Sequence, residues 1–262
     1  MAMFGKVNEI INVAGKKAIV TGGTRGLGKA MATCLLENGC DVFAVSRSAG
    51  SDKDLETAAG ESGTKVHFFA ADITKPDEVA AMASEAKQKM GRVDILIHSA
   101  AVFAIKPIFE MDDETYATVL NTNVNATLTV IRETGKIMKE QQYGKIVTIS
   151  SVASVMGRSD LGYTAYSTSK AAVNMLTKQA ACELAVHGIT VNALAPTFTR
   201  TDMNAPMLDV EGFEDSLKKR IPVGRIGQFK DLMGLMLLLT SDASQFLTGQ
   251  VVFLDGGVTA RQ

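Results

Sequence analysis

Tyr166 and Lys170 stand four residues apart in the run Tyr166-Ser167-Thr168-Ser169-Lys170. On a helix that spacing puts both side chains on one face, a turn apart. A phenol that titrates near pH 10 is a poor acid–base group at neutral pH. An ammonium beside it favours phenolate, so the pair is expected to draw the tyrosine toward the working range of a general acid–base. Fifteen residues earlier, Ser150-Ser151 closes a short apolar run. A hydroxyl there, taken as that of Ser151, could hydrogen-bond a substrate oxygen and support a developing alkoxide. A tyrosine–lysine pair alone arises by chance on many helices; its company gives it weight.

That company is a second constellation, Thr21-Gly22-Gly23-Thr24-Arg25-Gly26-Leu27-Gly28, which joins an apolar run to a helical pattern. Glycines let a backbone turn tightly and approach a pyrophosphate, and the following helix offers free N–H groups to the anion. The order Gly-x-x-x-Gly-x-Gly departs from the common G-x-G-x-x-G fingerprint. Where NAD-binding chains usually place an acid for the ribose diol, this chain has Ser46-Arg47, and Arg25 lies within the turn. Two guanidinium groups could clamp a 2′-phosphate, which favours NADP(H), with NAD(H) as the second cofactor the site could accept. Asp72 is then a candidate for the adenine amino group.

These residues need a scaffold. Short apolar runs at Lys17–Thr21, Asp41–Ser46, Val66–Ala70, Ile95–Ser99, Lys145–Ser150, Thr190–Ala195 and Val251–Leu254 read as strands covered on both faces. Helical patterns lie between them at Gly28–Asn38, Pro76–Met90, Asp113–Gln141, Thr164–His187 and Gln228–Leu239. The alternation predicts an α/β fold: one doubly wound, parallel, seven-stranded sheet with helices on both faces, a Rossmann fold. Residues 1–262 read as a single NAD(P)-binding domain. The stretch Pro196–Pro222 reads as irregular, either a mobile substrate lid around 197–222 over the ligand crevice or a plain surface loop.

Taken together, the sequence resembles the classical short-chain dehydrogenases/reductases from Lys17 to Gly257. The resemblance is carried by TGGTRGLG, Asp72, the asparagine of NTNVNA, ISSVAS, YSTSK, VNALAP and LDGG. It implies a ketone–alcohol oxidoreductase working by hydride transfer, with Tyr166 as general acid/base and Ser151 positioning the substrate. Lys170 would tune Tyr166 and bind the nicotinamide ribose, and Asn123 would hold a relay water. The implied cofactor set is Gly22, Thr24, Arg25, Gly26, Leu27, Gly28, Ser46, Arg47, Asp72 and Ile73. It continues with Ser99, Ala100, Tyr166, Lys170, Pro196, Thr199 and Thr201, the last at the carboxamide. Three departures stand out. His98-Ser99-Ala100-Ala101 replaces Asn-Asn-Ala-Gly, Pro196-Thr197 replaces Pro-Gly, and the loop before Tyr166 is lengthened by Arg158, Ser159 and Asp160. His98 is read as a satisfied structural histidine.

RIPVGRIGQFKDLMG and DGGVTAR are similar to the gluconate 5-dehydrogenase-like branch, which implies a small keto sugar or sugar acid. The largely apolar run Ala101–Lys106 points instead to a less charged ketone, with Lys106, Arg158 and Arg200 as candidate carboxylate partners. A 3-oxoacyl thioester reductase, a hydroxysteroid dehydrogenase and a catalytically silent NADP(H)-sensing protein are the other readings. A net charge of −1 over 262 residues offers no field for nucleic acid or an anionic membrane. No run is long and apolar enough to span a bilayer and no signal peptide is evident, so a cytoplasmic protein is expected. The spacing of Cys34, Cys40, Cys182 and the three histidines suggests buried thiols and no metal site. The apolar stripes on the helices at Asp113–Gln141 and Thr164–His187 are core or interface, and the family resemblance implies a homotetramer.

Overall fold

The computed structural model describes residues 6–48, 50–157, 162–201 and 203–261. Arg158, Ser159, Asp160 and Asp202 lie outside the described residues. Seven strands, β1 (Lys17–Thr21), β2 (Asp41–Ser46), β3 (Val66–Ala70), β4 (Ile95–His98), β5 (Gly144–Ile149), β6 (Ile189–Pro196) and β7 (Val251–Leu254), form one parallel sheet. Their order is β3-β2-β1-β4-β5-β6-β7. The chain therefore reverses its direction of travel between β1 and β4, where Ile19 pairs with Leu96 on one side and Phe43 on the other. A crevice opens at the carboxyl ends of strands at such a reversal.

Alternate strand residues feed two cores, one on each face. Ile19, Phe43 and Ile146 pack under α4 (Pro76–Met90), α6 (Ala126–Gln141) and α7 (Thr164–Leu184). Ala18, Val20 and Leu194 pack under α2 (Gly26–Glu37), α3 (Lys53–Ser62) and α10 (Phe229–Thr240). The remaining helices are α1 (Val7–Ile10), α5 (Asp113–Leu120), α8 (Ala205–Leu208) and α9 (Phe213–Arg220). Val119, Ile131, Ile137, Val173 and Ala180 are buried within the chain itself, so the helix stripes are core.

Several expectations need correction. The helix expected over Asp113–Gln141 is interrupted by a π-helical turn at Asn121–Asn125. The segment expected to be irregular after β6 contains α8 and α9. The helix α3 has no counterpart in the sequence reading; its Asp52 cap and the left-handed Gly63 (φ 69°) end it cleanly. Cys182 is exposed, whereas Cys40 is buried.

The edge strand β7 is held to β6 partly through one side chain. Asn192, fully buried, donates to the Leu247 carbonyl at 2.8 Å and accepts from the Gln250 amide at 3.0 Å. Removing it strands both backbone groups. Asn192→Ala is therefore expected to cost about 2–4 kcal/mol, read as a lower denaturant midpoint at unchanged slope.

Candidate active site

The helix α7 lies over β6 and beside β5 through small residues, since Ala165, Ser169, Val173, Thr177 and Ala181 form its buried ridge. Polar contacts then fix its register. Thr148 and Thr177 share a hydrogen bond of 2.8 Å, and Ser150 Oγ donates to Asn174 at 2.5 Å. Lys170 Nζ donates to the Ile149 carbonyl at 2.7 Å. The Ser150 hydroxyl is thus committed to α7, whereas that of Ser151 is turned to Tyr166. The Ser151 hydroxyl bonds that of Tyr166 and accepts the Ala153 amide at 3.2 Å.

The electrostatics of the pair differ from the sequence expectation. Burial pushes the Tyr166 phenol up to about 12, against a smaller opposing effect of the Ser151 hydrogen bond. Burial also pulls Lys170 down to about 8. The ammonium lies 5.6 Å from the centre of the tyrosine ring, and burial remains the larger effect on the hydroxyl. Phe103 stands edge-on to Tyr166, with centroids 4.8 Å apart, and edge-on to Tyr163 at 5.3 Å. Gly162 makes this arrangement possible: a Cβ there would sit 2.1 Å from the Lys106 carbonyl carbon.

All seventeen residues expected to bind cofactor line one groove of about 780 Å³ along the carboxyl ends of the strands. Gly22 has φ +68° and packs on Ala100, while a Cβ on Gly28 would come within 2.2 Å of the Gly22 carbonyl oxygen. The helix α2 starts there without a side-chain cap, leaving its first amides available to an anion. Arg25 and Arg47 both border the groove, as does Asp72, whose Oδ1 accepts from Thr74 N and Oγ1. The cradle fits a dinucleotide.

Asn123 sits in the π-helical turn, buried, with both amide protons and one oxygen lone pair spent. It donates to the Val102 carbonyl and Ser169 Oγ and accepts from the Val102 amide. Its side chain clamps the segment after β4, which leaves the expected relay water one lone pair of Oδ1 and one of the main-chain carbonyl, the latter already bonded by Thr127 Oγ1. His98 is buried with Nδ1 2.8 Å from Thr21 Oγ1. Its Nε2 has no hydrogen-bond partner among the described residues, so this histidine is only half satisfied. Burial holds it at about 3, hence neutral.

Beside the groove lies a cavity of about 360 Å³. Phe103, Ser151, Tyr166, Thr197, Met203 and Asn204 line both spaces. Neither Lys106 nor Arg200 lines the cavity. Lys106 pairs with Asp112, and Arg200 bridges Asp209 at 2.6 Å and Glu214 at 2.8 Å. The cations that do border it, Arg220 and Arg261, were missed by sequence reasoning, as was Asn204. Asn204 staples Thr199 and Thr201 by bonding the carbonyl of one and the amide of the other. An asparagine three residues beyond Thr201 is a local turn signal that could have identified it.

A family model described as enoyl-(acyl carrier protein) reductase matches residues 22–259. The chain is similar to a gluconate 5-dehydrogenase of Gluconobacter oxydans, at 35% identity over 96% of this chain and 97% of the relative. It is also similar to a 2-dehydro-3-deoxy-D-gluconate 5-dehydrogenase of Formosa agariphila, at 34% identity over 96% of each chain. Among solved structures, a gluconate 5-dehydrogenase of Burkholderia cenocepacia in complex with NADP and tartrate superposes with TM-score 0.91. The two are 30% identical, over 98% of this chain and 100% of that one.

The glycine cradle has a direct test. Gly28→Val is expected to weaken dinucleotide binding at least about tenfold, in keeping with an overpacking strain of about 1–3 kcal/mol. Gly60→Ala, where an added Cβ meets nothing within 4 Å, should leave the affinity unchanged in the same fluorescence titration.

Proposed function

This chain belongs to the short-chain dehydrogenase/reductase family and is an oxidoreductase of CH–OH groups; we propose that it interconverts a keto sugar acid of the gluconate type and its secondary alcohol with NADP(H). One observation carries the reading. The groove and the cavity share a wall at Ser151 and Tyr166, and direct transfer needs donor and acceptor to meet there. When bound, the nicotinamide supplies the hydride.

The chain's own residues handle the proton. In reduction, Tyr166 Oη gives its proton to the carbonyl oxygen, and Ser151 Oγ steadies the same oxygen. A phenol raised to about 12 is protonated at neutral pH and so ready to donate. In the reverse direction Tyr166 must become phenolate inside a buried site, where the ammonium of Lys170 offsets part of the cost. Lys170, lowered to about 8, keeps its proton at neutral pH and loses it as the pH rises through that value. Arg25 and Arg47 support NADP(H) through the 2′-phosphate, with NAD(H) the weaker partner. The similarity to gluconate-type dehydrogenases supports the sugar-acid substrate. Phe103, Met156, Phe198, Met207 and Val258 in the cavity favour a second reading, a less hydroxylated ketone.

Under the same proposal the chain is one NAD(P)-binding domain. Residues 197–222 act as its substrate lid, since Met203, Met207 and Leu217 reach the cavity. Four copies would assemble through the outer faces of α6 and α7, where Leu128 is 47% and Met175 60% exposed.

The test follows reduced-nicotinamide absorbance with 5-ketogluconate, neutral keto sugars and apolar cyclic ketones. Turnover of 5-ketogluconate is expected, with Tyr166→Phe lowering kcat about 10²–10⁴-fold. Turnover of apolar ketones alone would favour the second reading. Separately, Arg47→Gln is expected to raise the KM for NADPH about tenfold or more, with little change for NADH. Equal losses with both cofactors would count against a 2′-phosphate contact.

A further inference from the structure

Thr197, Met203 and Asn204, all from the chain after β6, line both the groove and the cavity. The sheet order sets β5 and β6, which flank that junction, apart from β2 and β3, after which Arg47 and Asp72 enter the groove. A dinucleotide with its adenosine at Arg47 therefore has its nicotinamide at the junction, where hydride transfer needs it. The chain after β6 reaches across the groove at this end. On one side it is held by Gly227, whose amide donates to the Phe198 carbonyl at 2.7 Å and which pairs with Thr199 in a parallel bridge. On the other side it rests on the glycine turn, since a Cβ on Gly26 would meet Thr201 Cβ at 3.6 Å.

One side chain fastens this crossing. Asn204 Nδ2 donates to the Thr199 carbonyl at 2.9 Å, and its Oδ1 accepts the Thr201 amide at 2.8 Å. The main-chain amides of Asn204 and Ala205 both donate to the Thr201 carbonyl, which seats the asparagine against the stretch it grips. Asn204 stands at the N-cap of α8, where an asparagine ordinarily accepts a helix amide, yet it makes no such bond. Its amide is spent on the loop instead. Arg200, between the two gripped residues, turns away to pair with Asp209 and Glu214. We propose that Asn204 is a positioning residue for the cofactor: its amide clasps residues 199–201 over the nicotinamide half and leaves the adenosine half to other strands. The clasp serves the cofactor whichever ketone is reduced, and it rests on the meeting of nicotinamide and ketone at Ser151 and Tyr166 proposed above. A loop without these two bonds has more conformations to lose when the cofactor binds, and that cost falls on affinity. Arg47 and Asp72 follow β2 and β3, so their hold on the adenosine does not depend on it.

The test compares two ligands by calorimetric titration, NADPH and adenosine 2′,5′-bisphosphate, which has the adenosine half alone. Both are titrated into the wild type, Asn204→Ala and Asn204→Asp, with thermal midpoints to verify that each variant is folded. Asn204→Ala is expected to weaken NADPH about tenfold and to leave the bisphosphate within about twofold of the wild type. Asn204→Asp keeps the acceptor for the Thr201 amide and loses the donor to Thr199, and it is read in the same way should Asn204→Ala fail to fold. A merely structural role would loosen the whole groove and weaken both ligands together. Unchanged binding of NADPH, or a loss for the bisphosphate equal to or greater than that for NADPH, overturns the clasp. Failure of the proposed reaction would show in the turnover assays above and not in these titrations.

Discussion

Between α7 and β5 runs a seam of buried hydrogen bonds, Thr148 with Thr177, Lys170 with the Ile149 carbonyl, and Ser150 with Asn174. Each is worth only about 1 kcal/mol net, but a slip of one residue along the helix would leave all these groups unpaired at about 1–3 kcal/mol apiece. The small residues of the α7 ridge would tolerate several registers; the polar seam admits one. Ser151, on the strand side, therefore meets Tyr166, on the helix side. Asn123 extends the same logic. It joins Ser169 of α7 to Val102 after β4, so the wall that carries Phe103 is tied to the helix that carries the tyrosine.

Low dielectric shapes what this arrangement does. Tyr166 is raised, while Lys170 and His98 are lowered, each mainly by burial. All three shifts favour the uncharged form, the common outcome when ionisable groups share a dry pocket. A protonated phenol suits proton donation to a carbonyl. The opposite reaction must create an anion in the same place, and the one ammonium nearby is itself weakened by desolvation. Near neutrality the site thus rests in the form that donates a proton.

The strands were legible because parallel strands buried on two faces leave uninterrupted apolar runs, and β1, β2, β3 and β7 have the predicted bounds. Ligand-facing residues at strand ends were legible for the same reason, since a strand's end locates the crevice. Other features carried less signal. Only Leu55, Ala58 and Ala59 of α3 are buried, and only Leu217 of α9, too few apolar positions to mark a helical period. A π-helical turn leaves the surrounding pattern intact, so the break at Asn121–Asn125 does not show in composition. Lys106 and Arg200 looked suited to a carboxylate until the fold supplied Asp112, Asp209 and Glu214. The placement of Arg220 beside Arg261 depends on a tertiary contact that no local spacing encodes.

The tail after β7 is folded back on itself, with Asp255 accepting from the Gly257 amide and from both the amide and hydroxyl of Thr259. It delivers Arg261 to the wall of the reaction chamber. Every strand runs parallel, so that chamber lies where the carboxyl ends of the strands open. A bulky label attached near Arg261 would stand beside it, and assays on the labelled chain would report the label along with the enzyme.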